Sequence, residues 1–486
     1  MKKLFSVLSI IILILECNAQ QSEQVSKRQL LKDFDVFRHI FEKANAGLYK
    51  YHPKLQTDSV FSANRKRINK NTSYREFYSI LWNVIDFTGS CHNELTYPDS
   101  LIKILHRKKI YFPLPLKLIN NKLYSNLTYE NIPAGSEILS VNGISAQIFA
   151  TETSRYLSTD GHNTSGKHAF LETRLLPFYI YLAYGEPDSF AINFKDSSEI
   201  RQVVLEPVEY KKAIENYKKR FIPAYEKSSV SDYSFKYSDS TETGFLTINT
   251  FALGGPKSEG HKKYAAFLDS IFNHLKARNI QNLIVDIREN GGGNDPNDLL
   301  LYSYLTKRNF RENVSAFTLF HTVPLKKFYV EEETDEIKDL EEELKEEHSI
   351  LKDGKYYQNE KFNQYWTPKP NAYSGKVYLL VSPFVASAGS LFASMIKNDE
   401  QSVVIGQETL GGYYGHTGHI PVTYKLPNTE LLLSFSIVDL EQDVQKLPDQ
   451  RYGDGVKPDY TVEQTIEEYL KSIDAVMEFA KKQINP

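Results

Sequence analysis

At 486 residues the chain exceeds what one ordinary core accommodates, so two or three domains are expected. Acidic and basic residues nearly cancel, leaving a net charge of -3, which excludes the basic excess of a nucleic-acid-binding protein. Hydrophobic residues make up 41% and aromatic residues 13%, a composition that suits a packed protein and excludes a disordered one.

The first residues read as a secretory signal: Lys2 and Lys3, the apolar run Leu4 to Leu15, then Cys17-Asn18-Ala19, with cleavage expected after Ala19. A lipid anchor on Cys17 is the competing reading, disfavoured by Glu16 where a small residue is wanted. Cleavage would leave Cys91 as the sole cysteine, so no intrachain disulfide is possible and stability must come from the core. No later run has the length of a membrane span. The mature protein is therefore expected outside the cytoplasm, without a transmembrane segment.

Residues 20–105 read as a helical cap. Leu30, Phe34, Phe37 and Phe41 mark one face of a first helix, which the turns at Ala44 to Gly47 and at Tyr51-His52-Pro53 end. A second helix starts near Ser73, with Phe77, Leu81 and Val84 inward, and gives way to Thr88-Gly89-Ser90-Cys91-His92-Asn93. Between 106 and 210 the spacing changes to short strands, Tyr111 to Leu116, Lys122 to Tyr124 and Ile138 to Gly143. The run from Ile132 to Gly143, closing on Asn142-Gly143, resembles the signature of a PDZ domain, in which a peptide end adds a strand to a sheet edge.

A Lys-, Tyr- and Ser-rich linker, 211–240, opens the last region, 211–486, where strands and helices alternate as in an α/β domain. Strands are expected at Gly244 to Asn249, Leu283 to Arg288, Val377 to Val381 and Val403 to Gly406, with a helix around Ala265 to Leu275. A charged insertion near 325–370 contains Glu331 to Glu347, a helix with little apolar face. It reads as a solvated surface, or alternatively as a mobile flap.

Three stretches of this region carry site chemistry. Asp286-Ile287-Arg288-Glu289-Asn290-Gly291-Gly292-Gly293-Asn294 is a glycine run directly after a buried strand, where bare N–H groups approach a ligand. No Lys-Ser/Thr follows it and its glycines lack dinucleotide spacing, so a nucleotide cofactor is not implied. Ser387 sits where the strand Val377 to Val381 feeds a helix marked by Leu391, Phe392, Met395 and Ile396. That position exposes a nucleophile beside the first free helical N–H groups, although a helix cap is the plainer role for such a serine. The third stretch is the loop Thr409 to His416. No His, Cys and carboxylate cluster shows metal-ligand spacing, so neither a metal nor another cofactor is expected.

Together, Asp-x-Arg-x-Asn-Gly-Gly-Gly after a strand, Ser387-Ala388-Gly389 on a strand-helix turn, Val403-Val404-Ile405-Gly406 with its glycine loop, and Gly455-Val456-Lys457-Pro458-Asp459 resemble the tail-specific, or C-terminal processing, serine peptidases. The resemblance implies a multidomain α/β architecture of helical cap, PDZ-like module and crotonase-like catalytic domain. It implies Ser387 as nucleophile and an oxyanion hole of the Ala388 N–H with that of Gly291 or Gly292. One branch of that family carries a Lys base in the loop that here reads Gly411-Gly412-Tyr413, which argues against a Ser–Lys dyad. The tricorn-core-like branch takes a His from the cap, and His92 holds the matching place, followed by Asn93 where relatives have Thr. Those relatives supply a Glu before Gly-Val-x-Pro-Asp; here Asp454 or Asp449 stands nearest, and either could equally be a solvated turn residue. Cys91 raises a rival Cys–His mechanism, which an extended segment would disfavour by pointing adjacent side chains to opposite faces. The implied activity is cleavage of polypeptides, with the substrate's C-terminus as a candidate recognition element. A silent peptide- or ligand-binding protein on the same scaffold is the alternative, and an acyl-thioester enzyme is disfavoured by the export signal.

Overall fold

The computed structural model describes residues 25–227 and 231–484. The signal and the Cys17 lipidation reading lie outside the described residues. Three sheets organise the chain. In the central one, Thr243–Ile248, Asn282–Asp286, Lys376–Val381 and Ser402–Gly406 run parallel, with Tyr233–Ser238 antiparallel at one edge and Tyr460–Thr461 at the other. Helices Glu259–Ala277, Asn297–Ser303 and Ala388–Lys397 bury Tyr264, Phe272, Leu301 and Phe392 against one face. Helix Ala475–Ile484 covers the other, over Ile284, Leu380 and Ile405. Because both faces are covered, Val377 to Val381 has no polar alternation. The linker reading of 211–240 is corrected here: Tyr210–Lys218 is helical, and Tyr233–Ser238 supplies an edge strand through its ladder to Thr243–Ile248.

The second sheet is antiparallel, Leu116–Ile119, Lys122–Ser125, Glu137–Val141, Phe190–Asp196 and Glu199–Leu205, around a core of Phe112, Leu123, Ile138, Val141 and Phe194. The strand expected from Tyr111 begins only at Leu116, since Pro113 and Pro115 have no N–H to give a ladder.

The cap consists of Lys27–Ala44, Lys54–Arg67 and Tyr74–Thr88. The middle helix was not anticipated; its polar, low-amphipathicity sequence buries only Thr57, Phe61 and Asn64. The third begins at a reciprocal capping box of Ser73 and Glu76 and ends at Gly89 in the left-handed region. Phe34, Phe37, Phe41, Phe61 and Phe77 share one core with Leu433, Phe435 and Leu440. These last residues belong to Leu432–Gln442, the long strand of the third sheet, which also pairs with Glu94–Thr96 just after His92. Buried Asp33 fastens the first helix to the turn that leads into that strand by accepting from the Thr429 N–H and hydroxyl, both at 2.7 Å. The cap is thus fused to the last third of the chain.

The charged insertion is less solvated than its composition suggests. Helix Glu336–Glu347 places Leu340 and Leu344 in the cap core, because these two positions, four apart, form a narrow apolar seam on an otherwise acidic helix.

Candidate active site

Ser387 stands at the turn between Lys376–Val381 and Ala388–Lys397 with φ 52° and ψ -132°. A non-glycine residue there is strained by about 1–3 kcal/mol, a cost met by the buried strand and helix on either side. Its hydroxyl lies 3.2 Å from Nε2 of His92, a contact across 295 positions of sequence. The antiparallel pairing of Glu94–Thr96 with Leu432–Ser434 holds the His92 turn over the parallel sheet.

The turn itself is built locally. Asn93 Nδ2 donates to Thr88 Oγ1 at 2.8 Å, a bridge that gives the residue after His92 a folding role. Cys91 and His92 lie in a turn and not on an extended segment, so their side chains point the same way, with Cys91 Sγ 3.5 Å from His92 Nδ1. The expected separation of this pair is therefore corrected. The thiol is no rival nucleophile: burial pushes its pKa well above the ordinary thiol range, and the negative charge of Asp160 pushes it further.

Asp160 is the residue that sequence reasoning missed. It is fully buried, receives the Cys91 N–H at 2.9 Å and the Gly412 N–H at 3.0 Å, and lies with Cys91 Sγ and a His92 ring nitrogen inside a 4.8 Å cluster. Its loop, Ser158 to Asn163, lies in the segment read as the β module. The loop joins cap, glycine loop and C-terminal segment through Gly161 N–H to Gly89 O at 2.9 Å and His162 N–H to Gly453 O at 2.7 Å. The Thr159-Asp160-Gly161-His162-Asn163 run of turn formers was the available signal. Asp454 is turned away: its carboxylate pairs with Arg451 at 3.0 Å and Lys457 at 2.8 Å. The Asp449 carboxylate makes no hydrogen bond or ion pair among the described residues, and Asp449 lines the large cleft described below.

His92 is held below the ordinary histidine value by burial, with Asp160 pulling it back up and His419 pushing it down. Nδ1 of the ring faces Cys91 Sγ, which leaves Nε2 facing Ser387. His416 lies beside it, the ring centroids 5.1 Å apart and the planes tilted by 40°, and its own burial holds it well below the ordinary range.

The glycine run closes over Ser387. Gly292 is at φ 105°, and a Cβ there would come within 2.7 Å of Ser387 Cβ and 2.9 Å of the Ala386 carbonyl. Its N–H is donated to Asn290 Oδ1 at 2.9 Å and is unavailable to a ligand. Among the described residues, no hydrogen bond occupies the N–H of Gly291 or of Ala388. Gly292→Ala should displace Ser387 and slow its reaction with a fluorophosphonate about 100-fold. An unchanged labelling rate would show that the loop does not set the serine's position.

A cleft of about 2090 Å³ lies between the second sheet and the parallel sheet, lined by Lys117 to Asn121, Glu172, Arg288 and Phe384. It does not include Ser387 but reaches Phe384, three residues before it. Arg288, which follows the strand carrying the glycine run, forks onto Asp286 at 2.7 Å and Asp474 at 2.8 Å, a buried structural network.

Residues 242–462 match the model of peptidase family S41. Two solved structures share the fold over nearly the whole chain. Mature CPAF complexed with lactacystin is 15% identical, with TM-score 0.59, covering 94% of this chain and 98% of that one. Mature CPAF alone is 14% identical, with TM-score 0.58, covering 94% and 96%. No curated protein matches the chain. Residues 242–462 thus form a peptidase family S41 domain, and the chain is a serine-type peptidase. No helix among the described residues is long and apolar enough to cross a membrane.

Proposed function

We propose that this chain is an exported serine endopeptidase in which Ser387 is the nucleophile and His92 its general base. The observation that carries the reading is the 3.2 Å approach of His92 Nε2 to Ser387 Oγ, with the buried Asp160 carboxylate within 4.8 Å of a His92 ring nitrogen. His92 takes the hydroxyl proton as Oγ attacks the scissile carbonyl carbon. The Ala388 and Gly291 N–H groups receive the oxyanion, and Asp160, in place of Asp454, stabilises the imidazolium that forms. His92 returns the proton to the leaving amine, and water then releases the acyl group by the same steps reversed.

The parallel sheet with its helices supports a crotonase-like catalytic domain, and the second sheet supports a PDZ-like module. Leu116–Ile119 is an edge of that sheet and lines the cleft, which suits an extended polypeptide or its C-terminal end being led towards Phe384 and Ser387. The secretory signal read at 1–19 supports export.

The test is fluorophosphonate labelling of the purified protein as a function of pH. One adduct per chain is expected at neutral pH, and His92→Ala should slow its formation about 10²–10⁴-fold. A base must be unprotonated, and burial lowers the His92 pKa, so labelling should hold constant down to about 6.5 and fall only below it. No adduct at any pH would favour a silent binding protein. A fall centred well above 6.5 would exclude His92 in its described setting.

A further inference from the structure

Beyond the Ser387 site, a second cluster of polar groups joins three chain segments. Asp295 follows the glycine run, Glu312 precedes strand Asn313–Thr318, and His419 lies on strand Thr417–Lys425. One ligand atom from each falls within 4.8 Å of the other two. His419 Nδ1 is 3.2 Å from Asp295 Oδ2, and its Nε2 is 2.8 Å from Glu312 Oε1. That glutamate oxygen is buried yet accepts no hydrogen bond, so the approach to the ring lies off the N–H axis. Asp298, three residues after Asp295, is fully buried, with neither carboxylate oxygen hydrogen-bonded. The charges that act on it are those of Asp295 and Glu312. Two carboxylates flank the imidazole, one at each ring nitrogen, and the buried oxygens of Glu312 and Asp298 that accept no hydrogen bond are costly without a partner cation.

We propose that Asp295, Glu312 and His419, backed by Asp298, form a structural site for a divalent transition cation, with zinc the best match to one imidazole among carboxylates. Such ligands sit about 2.0–2.2 Å from zinc; because Asp295 and Glu312 face different nitrogens of His419, a single ion on one nitrogen draws the other carboxylate round the ring. The cation would clip the end of the glycine run to strand Thr417–Lys425. The site stands independently of the role proposed for Ser387.

Zinc is the probe. The full chain is loaded with zinc, dialysed against metal-free buffer, and assayed for metal per chain, affinity by calorimetry and thermal midpoint. Wild type should retain one zinc and melt higher with it. Glu312→Gln and His419→Ala should each bind at least about tenfold more weakly. Cys91→Ala should bind like wild type, which separates this cluster from the Cys91, His92 and Asp160 group. Glu312→Gln keeps the side chain's size, so it carries the comparison if His419→Ala folds poorly. The proposal is overturned if wild type retains no zinc, if both variants bind as tightly as wild type, or if Cys91→Ala alone loses the metal.

Discussion

Ser387→Ala should lower peptidase turnover by about 10⁴–10⁶-fold while leaving the fold in place. Losing a nucleophile removes the covalent route entirely, and what remains is only the rate that oxyanion donors and substrate binding give unaided. The hydroxyl's contact is with His92, half-buried at the mouth of the turn, so its removal forfeits one hydrogen bond and costs stability about 1 kcal/mol or less. Alanine also keeps the Cβ that the backbone at φ 52° already accommodates. Turnover on a quenched polypeptide, alongside circular dichroism and a thermal melt, checks both halves. Peptidase activity surviving in the pure variant would remove Ser387 from the mechanism.

Asp160→Asn should reduce kcat by about 10²–10⁴-fold, with a smaller effect on KM. The carboxylate both steadies the positive charge that His92 gains in the transition state and accepts two backbone N–H groups, from Cys91 and Gly412. An amide offers only one acceptor atom, so one of those N–H groups would face an NH₂ and lose its partner, at about 1–3 kcal/mol of stability. Asp454→Asn is the matched comparison, since Asp454 pairs with Arg451 and Lys457. It should change kcat little. If Asp454→Asn proved the more damaging, the acid would have to be reassigned.

Much of the catalytic domain was legible because its signals are local. A short continuous apolar run bounded by turn residues reads as a strand covered on both faces, and the Leu391, Phe392, Met395 and Ile396 spacing reads as a helix facing a core. Between them Ser387 has one place to stand. The glycine run was legible for the same reason, being the sole way to bring backbone beside that turn. The helix Lys54–Arg67 was not legible, since a largely solvated helix writes little period into its sequence. The insertion's docking was obscured in the same way, by two leucines among many acids.

The sequence by itself determined the strand-turn-helix that presents Ser387, the adjoining donors, the absence of a lysine in Gly411-Gly412-Tyr413, and a cap histidine at a suggestive place. Only the tertiary structure decided which groups meet. His92 reaches Ser387 because a three-residue strand in the cap pairs with Leu432–Gln442. Asp160 stands beside His92 because it is buried between cap and glycine loop, while Asp454 has two cations of its own. Strand pairing and ion pairing across hundreds of residues depend on packing and desolvation, which no local periodicity encodes.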